Sequence, residues 1–179
     1  MARSAWLAAA LCLGAAPCSA ATTLLRVYFS AEAHAAGQAR PELDCTSVVA
    51  LKRQVPRTTA VADAALRQLF AGPTEAERAQ GYRSPFSGAT AGLLKRVFIE
   101  HGTAYVDLHD LRAQLGDATS SCGAAEFQTQ LERTLRQFPT VRRVIVAIEG
   151  EPRRFYEWIG QACDLTNDRC DAAPFVPRR

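Results

Sequence analysis

Between Ala124 and Gly150 the hydrophobic period changes once, from that of a helix to that of a strand. Phe127, Leu131, Leu135 and Phe138 recur at helical spacing, while Gln128, Gln130, Glu132, Arg133, Arg136 and Gln137 fill the remaining faces. One apolar stripe must therefore be buried. Pro139 stops the helix. Val144 to Ile148 is an unbroken apolar run rich in β-branched residues, which predicts a strand covered on at least part of both faces and makes it the best candidate for the centre of a sheet.

The remaining pattern supplies what packs around that unit. Thr22 to Phe29 has strand density, and Thr46 to Pro56 predicts a second strand closed by Pro56, at a sheet edge. A polar, alanine-rich loop over 30–43 separates them. Val61, Ala65, Leu66, Leu69 and Phe70 form the buried stripe of a helix over 60–71, with Thr58 or Thr59 as its cap and Gly72-Pro73 as its stop. Thr74 and Glu77 fit a capping box for one further short turn. After an irregular stretch over 82–92, Leu93 to Glu100 and Thr103 to Leu108 predict a β-hairpin around His101-Gly102. Ser120 or Ser121 is placed to cap the long helix. Beyond Gly150, Phe155, Tyr156, Trp158 and Ile159 carry enough apolar area to dock on the domain, and 171–179 reads as a loose tail. The fold class is α+β: one domain with a small mixed or antiparallel sheet packed by two main helices.

Length and composition leave this picture standing, with 179 residues for one domain and 48% hydrophobic against 22% charged positions. They change it at the N-terminus. Arg3, the apolar run Ala5 to Ala16 and the small residues up to Ala21 have the form of a signal peptide over 1–21, with cleavage after Ala20 or Ala21. The run is too short to span a bilayer comfortably, and the mature chain is expected to hold no transmembrane helix. A lipid anchor is the rival reading, but neither Cys12 nor Cys18 follows a leucine-small-small triplet. Secretion or a periplasmic location follows.

Removal of the signal leaves Cys45, Cys122, Cys163 and Cys170, which allow three pairings of two disulfides. Closeness across a polar turn favours Cys163 with Cys170, and so Cys45 with Cys122. No C-x-x-C pair or suitably spaced histidine supports a metal site. The net charge of +3 loses one unit with Arg3 and is too mild for a nucleic-acid partner.

Several short phrases resemble the GerMN domain, a bacterial envelope module of spore germination and sporulation proteins and of some lipoproteins. They are Val27-Tyr28-Phe29, Val55-Pro56-Arg57, Ala64-Ala65-Leu66, Leu69 through Thr74 with Glu77, Ala104 through Leu108, and Gln130, Thr134-Leu135 and Gln137-Phe138 on to Val144 and Gly150. The resemblance covers residues 23 to 150. It implies an α+β fold akin to the ring-building motifs of secretion platforms, and no active site or cofactor. The domain then spans 22–152, and the cysteines and the disulfide-bonded extension 153–179 depart from the family's pattern.

Candidate chemistry is sparse. His101, Asp107 and His109, with Asp110 beside them, are the one cluster of candidate ligands or acid/base groups, since Asp107 and His109 share a face of an extended strand. The plainer reading puts His101 in a turn and Asp107 on backbone donors at a strand end. Glu149 and Glu151 flank Gly150 and raise the possibility of a carboxylate pair, against a solvated turn. Arg142, Arg143, Arg153 and Arg154, with Lys95-Arg96 and the aromatics Tyr156 and Trp158, offer a surface for anionic wall polymer or a partner. The expectation is a non-enzymatic domain that binds an envelope protein or wall polymer, or self-assembles. A small wall hydrolase using Asp107, His109 or Glu149, and an accessory or inhibitor subunit, are the alternatives.

Overall fold

In the computed structural model, which describes residues 21–32, 44–110, 112–163 and 168–176, two three-stranded sheets share one core. The signal segment expected over 1–21 and the loop expected over 30–43 lie almost wholly outside the described residues. β1 (Thr22–Ala31) pairs antiparallel with β2 (Val49–Pro56), and its last residues pair with the short β3 (Tyr82–Arg83). β4 (Leu94–Glu100) and β5 (Thr103–Leu108) form the expected hairpin, and β6 (Arg143–Ile148) lies parallel to β5. Both hairpin-turn residues, His101 (φ 48°) and Gly102 (φ 83°), are left-handed, as a two-residue turn between twisted strands requires. The fold class is the α+β arrangement that the sequence predicts, with β2 at an edge. The central strand of the second sheet, however, is β5; β6 is an edge strand.

Among the described residues there are four α-helices: α1 (Val61–Phe70), α2 (Glu75–Ala79), α3 (Ser121–Leu135) and α4 (Pro152–Trp158). α1 begins at Ala60 with no side-chain cap; Thr58 instead accepts the Ala60 N–H at 3.0 Å, closing a local turn. Ser120 caps α3 by accepting the Gly123 N–H at 3.0 Å, and Thr74 and Glu77 form the capping box of α2. Gly72 ends α1 with φ 75°, and a Cβ there would lie 2.3 Å from the Phe86 carbonyl oxygen. That close approach seats Phe86 between Phe70 and Phe127, 4.9 Å from each ring, and Phe127 continues to Phe155 at 5.5 Å. A chain of aromatic contacts thus joins α1, α3 and α4 through one core.

α3 is buried on more than its apolar stripe. Gln130, counted among the polar faces from sequence, is 0% exposed, as is Thr134. The Thr134 hydroxyl accepts the Tyr28 N–H at 3.2 Å, and Gln137 both accepts the Arg26 N–H at 2.9 Å and donates to the Arg26 carbonyl at 2.7 Å. Gln130 donates to Ser30 at 3.1 Å and to the Arg83 carbonyl at 3.3 Å, and accepts from the Ser84 hydroxyl at 2.6 Å. Side chains of a helix therefore take the place of a neighbouring strand along the free edge of β1.

Both expected disulfides are formed, Cys45–Cys122 across 77 residues and Cys163–Cys170 across 7. The longer one ties the start of α3 to the approach of β2, and by chain entropy is worth about 4 kcal/mol. The tail does not hang free up to Val176: Phe175 is 3% exposed, 5.7 Å from the Tyr105 ring and 6.4 Å from Phe98, and Arg96 bonds its carbonyl. A single aromatic side chain suffices to dock so short a segment because the β4–β5 face offers it two stacked rings.

Arg53 on β2 meets Glu77 on α2 through two 2.6 Å hydrogen bonds, with the side chains only 13% and 17% exposed. Burial pushes the Glu77 carboxyl up, but the bonds from Arg53 and from the Thr74 N–H more than offset this and leave it below its ordinary value of 4.5. A carboxyl depressed in the folded state stabilises above its unfolded pKa, and that stability is lost as pH falls through the folded value. Glu77→Gln should therefore cost about 1–3 kcal/mol in urea unfolding near neutral pH. The gap to the parent should shrink as the medium is acidified below the ordinary value; a gap that stays constant would assign the loss to packing instead.

Candidate functional site

Parallel pairing of β5 with β6 sets Leu108 beside Ile148, and so carries the residues after each strand to one end of the sheet. Glu149 (φ 52°) and Gly150 (φ 81°) make a tight turn there, and the Asp107 carboxylate accepts the Gly150 N–H at 2.7 Å. The Asp107 side chain is 3% exposed and faces Arg96 Nε at 3.5 Å and Lys95 Nζ at 3.7 Å. Glu149 reaches the same lysine at 2.6 Å, while its other oxygen lies 3.2 Å from His109 Nδ1 and accepts the Asp110 N–H at 3.3 Å. The structure thus gathers Asp107, His109, Asp110 and Glu149 around Lys95. His101 is excluded, because it sits in the turn at the opposite end of β5.

Electrostatics favour the charged forms of Lys95 and Glu149 at this end. The hydrogen bond from Lys95 holds the Glu149 carboxyl below its ordinary value, and the same bond raises the Lys95 ammonium. A general acid for glycoside hydrolysis needs a carboxyl moved the other way. Asp110 is held low by Arg112 in the same manner. Among the described residues, no group of three or more histidine, cysteine, aspartate or glutamate side chains is placed to hold a metal ion.

The basic residues do not merge into one face. Arg142 lies against the hairpin turn, where a Cβ on Gly102 would come within 2.6 Å of its guanidinium, and Arg143 begins β6. Arg153 and Arg154 open α4 at the far end of that strand, and Arg153 is taken by Glu157 at 2.9 Å. Tyr156 is not a surface residue: it is 3% exposed, with its hydroxyl accepting the Val146 N–H at 3.3 Å. Its burial raises the phenol above its ordinary value. Trp158 is half-buried, 6.2 Å from the rings of both Phe127 and Phe155. The aromatic extension is consumed by docking because α4 must cover the outer edge of β6.

A cleft of about 420 Å³ opens beside the beginning of β6, between Arg136 and Glu132 on α3 and Arg169 of the C-terminal segment, with Val144 and Arg143 at its base. Arg136 and Arg169 did not stand out in the sequence. The Glu132–Arg136 spacing marks an ordinary exposed helix pair, and the place of Arg169 depends on the path taken after Cys163. No helix among the described residues is long and apolar enough to cross a membrane.

With this geometry in view, comparison with known proteins gives a consistent fold. The profile of a family described as "Germane: Sporulation and spore germination" matches residues 24–154. The chain is similar to the tandem GerMN domains of the sporulation protein GerM from Bacillus subtilis, at 21% identity and a TM-score of 0.52. That match covers 78% of this chain and 43% of the other, so the chain spans less than half of it. The first GerMN domain of the same protein aligns at 21% identity and a TM-score of 0.47, over 72% of this chain and 84% of that one. No curated protein matches the chain.

The buried Asp107 carboxylate gives a direct test of what this end of the sheet is for. Asp107→Ala strands the Gly150 N–H and should lower stability by about 1–3 kcal/mol, with Asp107→Asn, which keeps an acceptor, costing less. Thermal and urea unfolding measure both. Greater stability in either variant would mark a carboxylate held there against stability, as active sites hold theirs.

Proposed function

From the premise that the chain belongs to the Germane family of sporulation and spore germination domains, we propose that it is a non-catalytic binding or assembly module of the bacterial cell envelope. The match over residues 24–154 carries this reading, because it takes in the whole shared core apart from the C-terminal extension. Two disulfides suit an oxidising compartment outside the cytoplasm, in line with the signal-like N-terminus. The partner is an envelope protein, a wall polymer or a second copy of the chain; nucleic acid is not a fitting partner for so mild a charge.

The hydrolase alternative has one point of contact with the geometry, the gathering of Asp107, His109 and Glu149. Its chemistry is less well served. Each of these groups already has a local partner, and the most exposed carboxylate is held charged by a lysine. The arrangement suits a latch that closes the turn between β6 and α4.

Two measurements on the purified, disulfide-bonded chain test the proposal together: sedimentation with insoluble peptidoglycan, and light scattering over a range of protein concentrations. Retention on the wall material or a concentration-dependent rise in mass is expected. A strict monomer that stays in the supernatant would overturn the wall-binding and self-assembly forms, and hydrolysis of the wall material would overturn the non-catalytic reading altogether.

A further inference from the structure

The face of the first sheet that looks away from the core carries cations with no acid beside them. Leu25, Val27 and Phe29 are buried, so the alternate residues Leu24, Arg26 and Tyr28 of β1 point outward, with Gln54, Lys52 and Ala50 of β2 opposite them. The Arg26 N–H is taken by Gln137 and the Tyr28 N–H by Thr134, so the even-numbered residues of β1 turn their backbone groups away from β2. Arg26 and Lys52 therefore form a non-hydrogen-bonded pair, the closer of the two antiparallel kinds, with Cα atoms about 4.5 Å apart. Like charges directly opposite one another in this way are destabilising.

Arg133 of α3 adds a third cation. Its guanidinium lies 5.6 Å from the centroid of the Tyr28 ring, and Tyr28 follows Arg26 on the same face by about 7 Å of strand rise. All three cations are exposed, and among the described residues none has a carboxylate within 4 Å. Arginines elsewhere on the surface are answered, Arg67 by Asp63 and Arg153 by Glu157. Arg53, next to Lys52 in the chain, meets Glu77 because it points to the other face of β2. Edge protection accounts for Lys52, since lysine on an edge strand deters pairing with other chains. It does not account for Arg26, on the inner of the two strands, or for Arg133 on a helix.

The row asks for a ligand that is negative and polar. Leu24, 64% exposed, is the one large exposed apolar side chain on this face, too little for the apolar centre of a protein interface. Three cations are also fewer than the roughly four to eight by which chains recognise anionic lipid surfaces. A linear chain of spaced anionic groups needs only the row itself. Arg26 and Arg133 offer guanidinium forks that hold phosphate oxygens through paired donors, with Lys52 as a point charge beside them.

We propose that the outer face of β1 and β2 binds a linear phosphodiester polymer of the cell wall, one phosphate meeting Arg26 and Lys52 and another meeting Arg133. The proposal rests on the reading of the chain as an envelope binding module and names the class of its ligand. A phosphate set against Arg26 and Lys52 also relieves the repulsion between them in the free sheet.

The test is an NMR titration of the isotope-labelled, disulfide-bonded full chain with a short synthetic oligomer of glycerol phosphate. Saturable shifts are expected at the amides of Arg26, Tyr28, Lys52 and Arg133, with affinity falling as salt is added. Joint replacement Arg26→Gln and Lys52→Gln should weaken binding at least about tenfold, the scale of one charge-assisted hydrogen bond. Its urea stability should equal or exceed that of the parent, because the like-charge pair is gone. The face is overturned by an absence of saturable shifts there, by unchanged affinity in the double variant, or by equal affinity for an oligogalacturonate of the same charge. Preferential pelleting with phosphatidylglycerol vesicles would overturn it in favour of a membrane. A double variant that aggregates yet binds unchanged would return the cations to edge protection. A chain that pellets with peptidoglycan or self-associates but ignores the oligomer loses this face and keeps its binding role.

Discussion

One strand edge, that of β1, sets the terms for the rest of the molecule. β1 gives its odd-numbered positions to β2 and must satisfy the even-numbered ones elsewhere, since an unpaired buried backbone group costs about as much as a lost hydrogen bond. α3 supplies the partners. Thr134, and Gln137 in the turn that follows the helix, meet the backbone of Tyr28 and Arg26, while Gln130, one turn earlier and beside the apolar stripe of Phe127, Leu131 and Leu135, bonds the Ser30 hydroxyl. β3 takes over where the helix leaves off, pairing with Ser30 and Ala31. The edge is thereby covered with only this two-residue strand added, and the two sheets remain separate.

This lock explains several features that are otherwise unrelated. The Cys45–Cys122 disulfide fixes the N-terminal end of α3, whose register against β1 must be held to within a residue. Gly72 admits Phe86 to the ring sequence that braces α3 from its other side. The same strategy recurs at β6, where the Tyr156 hydroxyl and the Glu151 backbone stand in for a missing strand. The extension after Gly150 is thus part of the domain's own edge protection.

What the sequence disclosed was mainly what is local. The hairpin around His101-Gly102, the capping box at Thr74 and Glu77 and the Ser120 cap depend on a few neighbouring residues, and each is legible in them. Burial of both faces made Val144 to Ile148 look like a central strand, because α4 and the C-terminal segment hide an edge strand as thoroughly as flanking strands would. Gln130 read as a solvent-facing residue because polarity marks exposure only until a backbone edge needs partners. Its spacing with Thr134 and Gln137 was the available signal. The meeting of Asp107 with Glu149 needed the parallel register of β5 and β6, which no single stretch of sequence contains. Tyr156 and Trp158 looked like surface aromatics until the edge they cover was known.

If the side chains of α3 truly replace a strand, the outward amides of β1 must behave as if one were there. Native-state hydrogen exchange followed by NMR resolves this at the Tyr28 and Arg26 N–H groups, bonded to Thr134 and Gln137. The lock predicts that the Tyr28 amide exchanges as slowly as the amides of the central strand β5, through the same global opening. Exchange of Tyr28 at the rate of an open strand edge, with β5 still protected, would contradict it.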